Sequence, residues 1–301
     1  MRLVTFVVPP YPETHAGVLR ENVVITLDYP TVLELLRDPS GLDWAFAEHE
    51  THNNRGESYL LSEVRLKTPI PEPPTLRDFY AFEQHVRAAR LKRSAEMIPE
   101  WYEIPTFYFS NTSELYGHDE DVPYPVGSNA LDIELEIACV IGREGKDIPV
   151  EKAADYIAGY TILNDWSARD FQAKDMKLNL GPGKGKDFAT SLGPWLVTTD
   201  ELEARKTGSG ASERYDMTML ARVDGQEISR GNFKDIYYSF PQMIAYASRN
   251  ARLRVGDVIG SGTVGTGCLL EIGTQVHPWF QRGEVIELEI DGIGILRNRI
   301  V

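Results

Sequence analysis

Apolar residues along this chain recur mostly at every second position or in short unbroken runs, the spacing of strands rather than helices. The opening stretch, Met1 through Val8, reads as a first β-strand. Strand-like runs follow at 131–140, 158–164, 195–198, 217–223, 258–261, 269–273 and 285–290. The last of these turns at Asp291-Gly292 into 293–296, the signal of a two-residue hairpin. Helical patterns are few: 31–37, 240–248, and a charged segment rich in helix formers over 77–97. Strict alternation of strand and helix is absent, which argues against a parallel doubly wound sheet. The expected fold class is β-rich α+β.

Four prolines within 69–74 cannot continue a helix or a central strand, so this stretch predicts a stiff linker. The expected organisation is a small N-terminal α+β domain over 1–68, a linker over 69–77 and a larger domain over 78–301. The polar segment 48–57, with His49 and His52, reads as solvated surface. Lysine and arginine number 31 against 45 acidic residues, a formal charge of −14. Such a field repels nucleic acid and anionic membranes, and neither is expected as a partner. It also means that an acidic substrate would need a local positive device. Two cysteines, Cys139 and Cys268, fit a reducing compartment. The first residues lack an apolar leader and no apolar run approaches about 20 residues, so the expected location is the cytoplasm.

The run Leu131-Asp132-Ile133-Glu134-Leu135-Glu136-Ile137 alternates throughout. As one strand it sets Asp132, Glu134 and Glu136 on a shared face, about 7 Å apart, close enough to grip a cation. The same spacing in Glu287-Leu288-Glu289 has no site around it, so spacing alone equally describes a solvent-facing strand. Asp165 ends an apolar strand, where it either points into a cleft or caps the next helical turn. The loop Gly181-Pro182-Gly183-Lys184-Gly185-Lys186 fails the phosphate-loop pattern, because Lys186 stands where the second glycine belongs. Gly260, Gly262 and Gly265 have dinucleotide spacing, but a strand-like piece follows where a helix should open, and a nicotinamide or flavin site is rejected.

Several short motifs in sequence order resemble one family. They are Asp78-Phe79-Tyr80 with His85, then Glu134-Leu135-Glu136, then Asn164-Asp165-Trp166-Ser167-Ala168-Arg169-Asp170-Phe171-Gln172. Lys186-Asp187-Phe188-Ala189-Thr190-Ser191-Leu192-Gly193-Pro194-Trp195, Gly262-Thr263 and Leu270-Glu271 complete the series. The series resembles the fumarylacetoacetate hydrolase family over roughly 75–301, and it implies that family's mixed β-sandwich roll. Carried over residue by residue, the resemblance implies a metal site from Asp78, Glu134, Glu136 and Asp165, with Lys186 and Thr190 beside the ion. It implies His85 as general base with Glu271 as partner, Lys186 and Gln172 as catalytic donors, and Tyr80, Tyr108, Gln172, Lys186 and Thr263 as substrate contacts. A homodimer is implied as well.

Hard oxygen ligands of this kind select Mg²⁺ or Mn²⁺, with Ca²⁺ also suitable. The expected reaction is hydrolysis of a C–C bond in a small 1,3-diketo or 2-oxo acid, of the sort met in aromatic compound catabolism. Decarboxylation of a β-oxo acid, or hydration or isomerisation of an unsaturated 2-oxo acid, are the alternatives on the same site. A non-catalytic oxo-acid binder is a further reading, disfavoured by the presence of both His85 and Glu271. Arg87, Arg90, Lys92 and Arg93 crowd the segment after His85; one or two are candidates to clamp a substrate carboxylate, against a plain solvated helix face.

Overall fold

The computed structural model describes residues 1–51, 57–92 and 94–301. Its strands are β1 (Arg2–Val7), β2 (Thr14–Arg20), β3 (Val23–Leu27), β4 (Ser58–Leu60), β5 (Leu76–Phe79), β6 (Phe107–Ser110) and β7 (Leu135–Ile141). There follow β8 (Ile157–Asp165), β9 (Thr190–Thr198), β10 (Thr218–Val223), β11 (Gln226–Asn232), β12 (Val258–Gly260), β13 (Val285–Ile290) and β14 (Gly294–Ile300). Among the described residues the six α-helices are α1 (Val32–Arg37), α2 (Gly41–Thr51), α3 (Glu83–Lys92), α4 (Arg169–Asp175), α5 (Phe240–Ala247) and α6 (Leu269–Ile272). The fold is a β-rich, mixed α+β architecture, as the spacing of apolar positions predicts.

One large sheet runs in the order β4-β3-β2-β1-β9-β8-β7-β12-β5-β6, with Arg65–Leu66 and Leu115–Tyr116 pairing alongside. Its neighbours are antiparallel except for β12 and β5, which run parallel. A second sheet, β11-β10-β13-β14 with Asp121–Val122, packs against it. Strand β7 is buried along its whole length. Ile137 and Cys139 enter the core shared with Met219 and Leu288 of the second sheet, while Ala138 and Val140 enter a core with Met1, Leu3 and Leu33. Period-two alternation therefore feeds two cores, and a polar side chain on this strand must be paired inside the protein.

The residues before and after the proline stretch meet in the large sheet, where Arg2 and Leu3 of β1 pair with Val197 and Leu196 of β9. The proline stretch runs against β1, with Thr5 Oγ1 donating to the Pro69 carbonyl at 2.9 Å and Ile70 fully buried. The proposed units 1–68 and 78–301 thus divide the course of the chain within a shared sheet.

Several local expectations are corrected. The run 131–140 is not one strand: it breaks at Ile133 and Glu134. There the Glu134 N–H turns to the Asn164 side chain at 3.0 Å, and the Leu135 N–H reaches the Gly267 carbonyl. The stretch 269–273 is helix α6, not a strand, because Asp132 accepts the N–H groups of Leu269 and Leu270 at 2.8 and 2.9 Å. The segment 77–97 begins as strand β5 and turns helical only at Glu83. The hairpin at Gly292 has three loop residues, since Ile290 pairs with Gly294. Glu48, expected on the surface, is buried within α2, and His52 lies outside the described residues.

Candidate active site

Strand register brings the acidic side chains together. On β5, Asp78 stands opposite both Tyr108 of β6 and Gly260 of β12. Asp165 is the last residue of β8 and faces Thr190 at the start of β9. Glu134 sits at the strand break and Glu136 one residue into β7. All four carboxylates are buried. Oxygens of Asp78, Glu134 and Asp165 lie within 4.8 Å of one another. Glu136 stands beside Asp78, where the Gly262 N–H donates to it at 2.9 Å and the Thr263 hydroxyl at 3.4 Å. Gly260 keeps this space open: a Cβ there would lie 2.6 Å from Asp78 Oδ1 and 3.2 Å from Glu136 Oε2. The 260–265 glycine loop thus serves the carboxylates, its Gly262 N–H also reaching Asp78 at 3.2 Å.

Lys186 lies buried in this cluster, its ammonium 2.5 Å from Glu134 and 2.6 Å from Asp165. Burial disfavours its charge, but Asp165 and Glu134 outweigh that and hold it firmly protonated. Burial also opposes ionisation of Glu134, yet Lys186 and Arg169 overcome it and keep that carboxyl below its usual range. Asp78 fares differently. Burial and the neighbouring Asp165 push it up to about 7. Burial and Asp78 push Glu136 well above the ordinary carboxylate range. The Tyr108 hydroxyl donates to Asp78 at 2.9 Å and also contacts Asp165. One oxygen, Asp165 Oδ1, is buried without a hydrogen-bond partner among the described residues.

This donor set fits a divalent cation. Carboxyl groups outnumber the buried cations beside them, Lys186 and Arg169, and an orphaned carboxylate oxygen points to a missing partner. All donors are hard oxygens, which suits Mg²⁺, Mn²⁺ or Ca²⁺.

On the other wall, His85 of α3 meets Glu271 of α6 through Nδ1 and Oε1. Glu271 Oε2 accepts the Thr266 N–H at 2.9 Å, and the Tyr80 ring stands edge-on to His85 at 5.3 Å. A cavity of about 240 Å³ joins the two walls. Of the residues singled out in the sequence, Asp78, Tyr80, His85, Tyr108, Glu134, Glu136, Gln172, Lys186 and Thr263 line it. Asp165 and Glu271 stand immediately behind, and Thr190 is buried opposite Asp165. A larger surface groove of about 920 Å³, lined by Leu61, Trp195 and Ile295 among others, contains none of these residues.

Arg169 belongs to the site and was not named from the sequence, although it lies inside the motif that contains Asp165. Its buried guanidinium reaches Asp132 at 2.7 Å, Glu134 at 2.8 Å and the Gln172 side chain at 3.0 Å. Asp132 therefore serves Arg169 and the α6 N–H groups, and it does not share a metal-facing side with Glu134. Ala89, Met176 and Leu270, with Arg169 and Gln172, form a neck shared with an outer trough of about 440 Å³, where Lys92 and Lys177 stand. Arg87 is instead tied to Glu83 and Tyr102, and Arg90 to the Glu96 carbonyl. Arg93 lies outside the described residues.

Residues 75–301 match the family described as fumarylacetoacetate (FAA) hydrolase, C-terminal, and the chain belongs to that family. Among curated proteins it is 34% identical over 241 residues to a fumarylacetoacetase of Arabidopsis thaliana, covering 65% of this chain and 57% of that protein. The chain thus spans little more than half the length of that relative. Among solved structures, the 5-carboxymethyl-2-hydroxymuconate delta-isomerase of Mycobacterium smegmatis is similar at 25% identity and a TM-score of 0.74, over 100% of this chain and 99% of that one. A maleylpyruvate hydrolase from Sphingobium shares the fold, with a TM-score of 0.74 at 22% identity over 100% and 99% of the two chains. No described helix is long and apolar enough to cross a membrane.

Proposed function

We propose that this protein is a divalent-metal-dependent hydrolase that cleaves a C–C bond in a small 1,3-diketo or 2-oxo acid. The observation that carries the proposal is the convergence of Asp78, Glu134 and Asp165, with Asp165 Oδ1 unpartnered, across one small cavity from the His85–Glu271 pair. Asp78, Glu134, Glu136 and Asp165 would hold the cation, with Lys186 and Thr190 beside them; Mg²⁺ and Mn²⁺ suit this set best, and Ca²⁺ is compatible. A bound cation supplies Lewis-acid polarisation of a substrate carbonyl.

The remaining steps belong to the chain's own residues. Glu271 holds His85 Nδ1, which leaves Nε2 to take a proton from a cavity water as that water attacks the carbonyl. Lys186 and Gln172, with Arg169 behind them, stabilise the oxyanion that develops on the substrate. Collapse breaks the C–C bond, and His85 returns its proton to the departing carbon. Tyr80, Tyr108 and Thr263 shape the pocket. Lys92 and Lys177 at the trough supply the positive charge that an anionic substrate needs at a protein of net charge −14. We further propose a cytoplasmic homodimer, which sedimentation of the purified protein tests.

A second reading, isomerisation of an unsaturated oxo acid, is favoured by the likeness to the Mycobacterium isomerase over the whole chain. It needs the same proton-transfer pair and no water. Product analysis separates the two: hydrolysis yields two acids, isomerisation leaves the mass unchanged, and decarboxylation releases CO₂. Exhaustive chelation is expected to abolish turnover of an acylpyruvate, and Mg²⁺ or Mn²⁺ to restore it. Full turnover by the metal-free protein refutes the metal reading.

A further inference from the structure

A second set of metal-binding side chains lies behind the first. Cys268 precedes α6 and Glu271 follows three residues later, within one turn, where the Glu271 N–H donates to the Cys268 carbonyl at 3.1 Å. Across from that turn, α3 presents His85. Donor atoms of His85, Cys268 and Glu271 all lie within 4.8 Å of one another. All three side chains are buried, and His85 alone of them lines the cavity, so the cavity is the way in.

The chemistry of this set differs from that of the carboxylate cluster. An imidazole, a thiol and one carboxylate form a mixed nitrogen, sulfur and oxygen site, the choice of Zn²⁺, Cd²⁺ or Co²⁺. Mg²⁺ and Ca²⁺ have no use for the sulfur. We propose that His85, Cys268 and Glu271 form a thiophilic metal site, and that Zn²⁺ or Cd²⁺ entering it shuts off the activity that the carboxylate site supports. Its existence rests on the geometry alone; the loss of activity rests on the reading of His85 as the base. Binding forms a metal–sulfur bond and releases the Cys268 proton to solvent. It also takes His85 away from Glu271, so the imidazole can no longer accept a proton from water. Three protein donors leave the fourth tetrahedral position to a cavity water. Burial and the nearby Asp132 carboxylate push the Cys268 thiol well up, so an ion that cannot displace the proton gains nothing there.

The test is titration of the Mg²⁺-saturated, full-length protein with Co²⁺, read by the near-ultraviolet thiolate-to-cobalt charge-transfer band. We expect a band that saturates at one equivalent in the unmodified protein and in Cys139→Ala, and that vanishes in Cys268→Ala. Cys268→Ser, closer to cysteine in volume, provides a second variant, and near-ultraviolet circular dichroism checks that each is folded. Release of one proton predicts binding about tenfold tighter per pH unit over the range where the thiol stays protonated. Zn²⁺ should inhibit the unmodified protein, and each Cys268 variant should escape that inhibition relative to its own zinc-free rate. No band in the unmodified protein, a band that survives in Cys268→Ala, or one lost in Cys139→Ala overturns the proposal. The cobalt band does not depend on turnover, so its failure is distinct from a failure of the proposed reaction.

Discussion

Replacing Lys186 by methionine tests the electrostatic logic of the site, because the variant fills the volume and removes only the charge. The ammonium lies 2.5 and 2.6 Å from Glu134 and Asp165, with 4% of its side chain exposed. Its loss leaves buried Asp165 without its cationic partner and Glu134 with Arg169 alone, a change that costs about 3–5 kcal/mol when one partner of a buried pair is removed. At roughly 2–3 °C per kcal/mol for a chain of this size, the metal-free melting temperature should fall by about 6–15 °C. A divalent ion reverses the balance, since it brings two positive charges to the same oxygens. If the ion narrows the stability gap by about 3 kcal/mol, linkage requires Lys186→Met to bind it roughly 100-fold more tightly. Turnover should nevertheless collapse, because the oxyanion loses its fixed cation. Unfolding in chelator and in saturating Mn²⁺, with calorimetric titration of the ion, measures every arm. A metal-free variant within about 1 kcal/mol of the parent, or a gap that Mn²⁺ fails to narrow, refutes the argument.

His85→Ala should lower kcat by at least about 100-fold with little change in KM, the pattern expected when a proton acceptor is lost; near-normal turnover removes it as the base. Gly260→Ala pushes a methyl group to 2.6 Å from Asp78 Oδ1, so Mn²⁺ affinity should drop with an overpacking cost of about 1–3 kcal/mol, read by calorimetry and urea unfolding. With Asp78 pushed up to about 7, a proton competes with the ion below that pH. Because Glu136 is also pushed up, metal affinity should weaken by at least about tenfold per unit as pH falls below 7; a flat profile from pH 5 to about 8 contradicts this. Replacing both Lys92 and Lys177 by alanine should raise KM about fivefold for a substrate with a distal carboxylate and leave a neutral-tailed one unchanged.

The acidic ligands were legible because strands write their partners in simple spacing. Glu136 and Asp165 sit in or at the end of strands whose apolar residues announce them. Asp78 is marked only by the family resemblance, because the segment from 77 reads as helical and its strand Leu76–Phe79 is too short to show in the spacing. What sequence spacing could not show is where a strand stops. The alternation through Asp132, Glu134 and Glu136 suggests one continuous face, yet Asn164, 30 residues away, captures the Glu134 N–H and breaks the ladder. The same long reach decides α6. An apolar run such as Leu269-Leu270-Glu271-Ile272 suits a strand or a helix, and the choice falls to Asp132, whose carboxylate caps the turn from 137 residues away. Arg169 was missed for a related reason. Its partners Asp132 and Glu134 precede it by 37 and 35 positions, and no local pattern marks a buried ion pair. Tyr108 has no local signal of its own, and it is the antiparallel register of β5 and β6 that sets it directly opposite Asp78.

The two walls of the cavity differ in how firmly they are built, and that difference bears on what each controls. The carboxylates and Lys186 are anchored in or beside the central strands of a large sheet, with both faces of β7 covered by core. A substitution there disturbs packing, charge balance and metal affinity together. The opposite wall comes from α3, α4 and the single turn of α6, and its neck joins the apolar Ala89, Met176 and Leu270 to the polar Arg169 and Gln172. The apolar side chains at Ala89 and Met176 can change size without touching a metal-facing carboxylate. On the proposed reaction the cation-holding half would belong to the sheet, while the short helices would carry the base His85 and set the length and charge of the substrate tail. A larger side chain at Ala89 should reject long-tailed oxo acids through KM and leave Mn²⁺ affinity as it was. Loss of metal affinity in Ala89→Leu would show that the two walls are mechanically one.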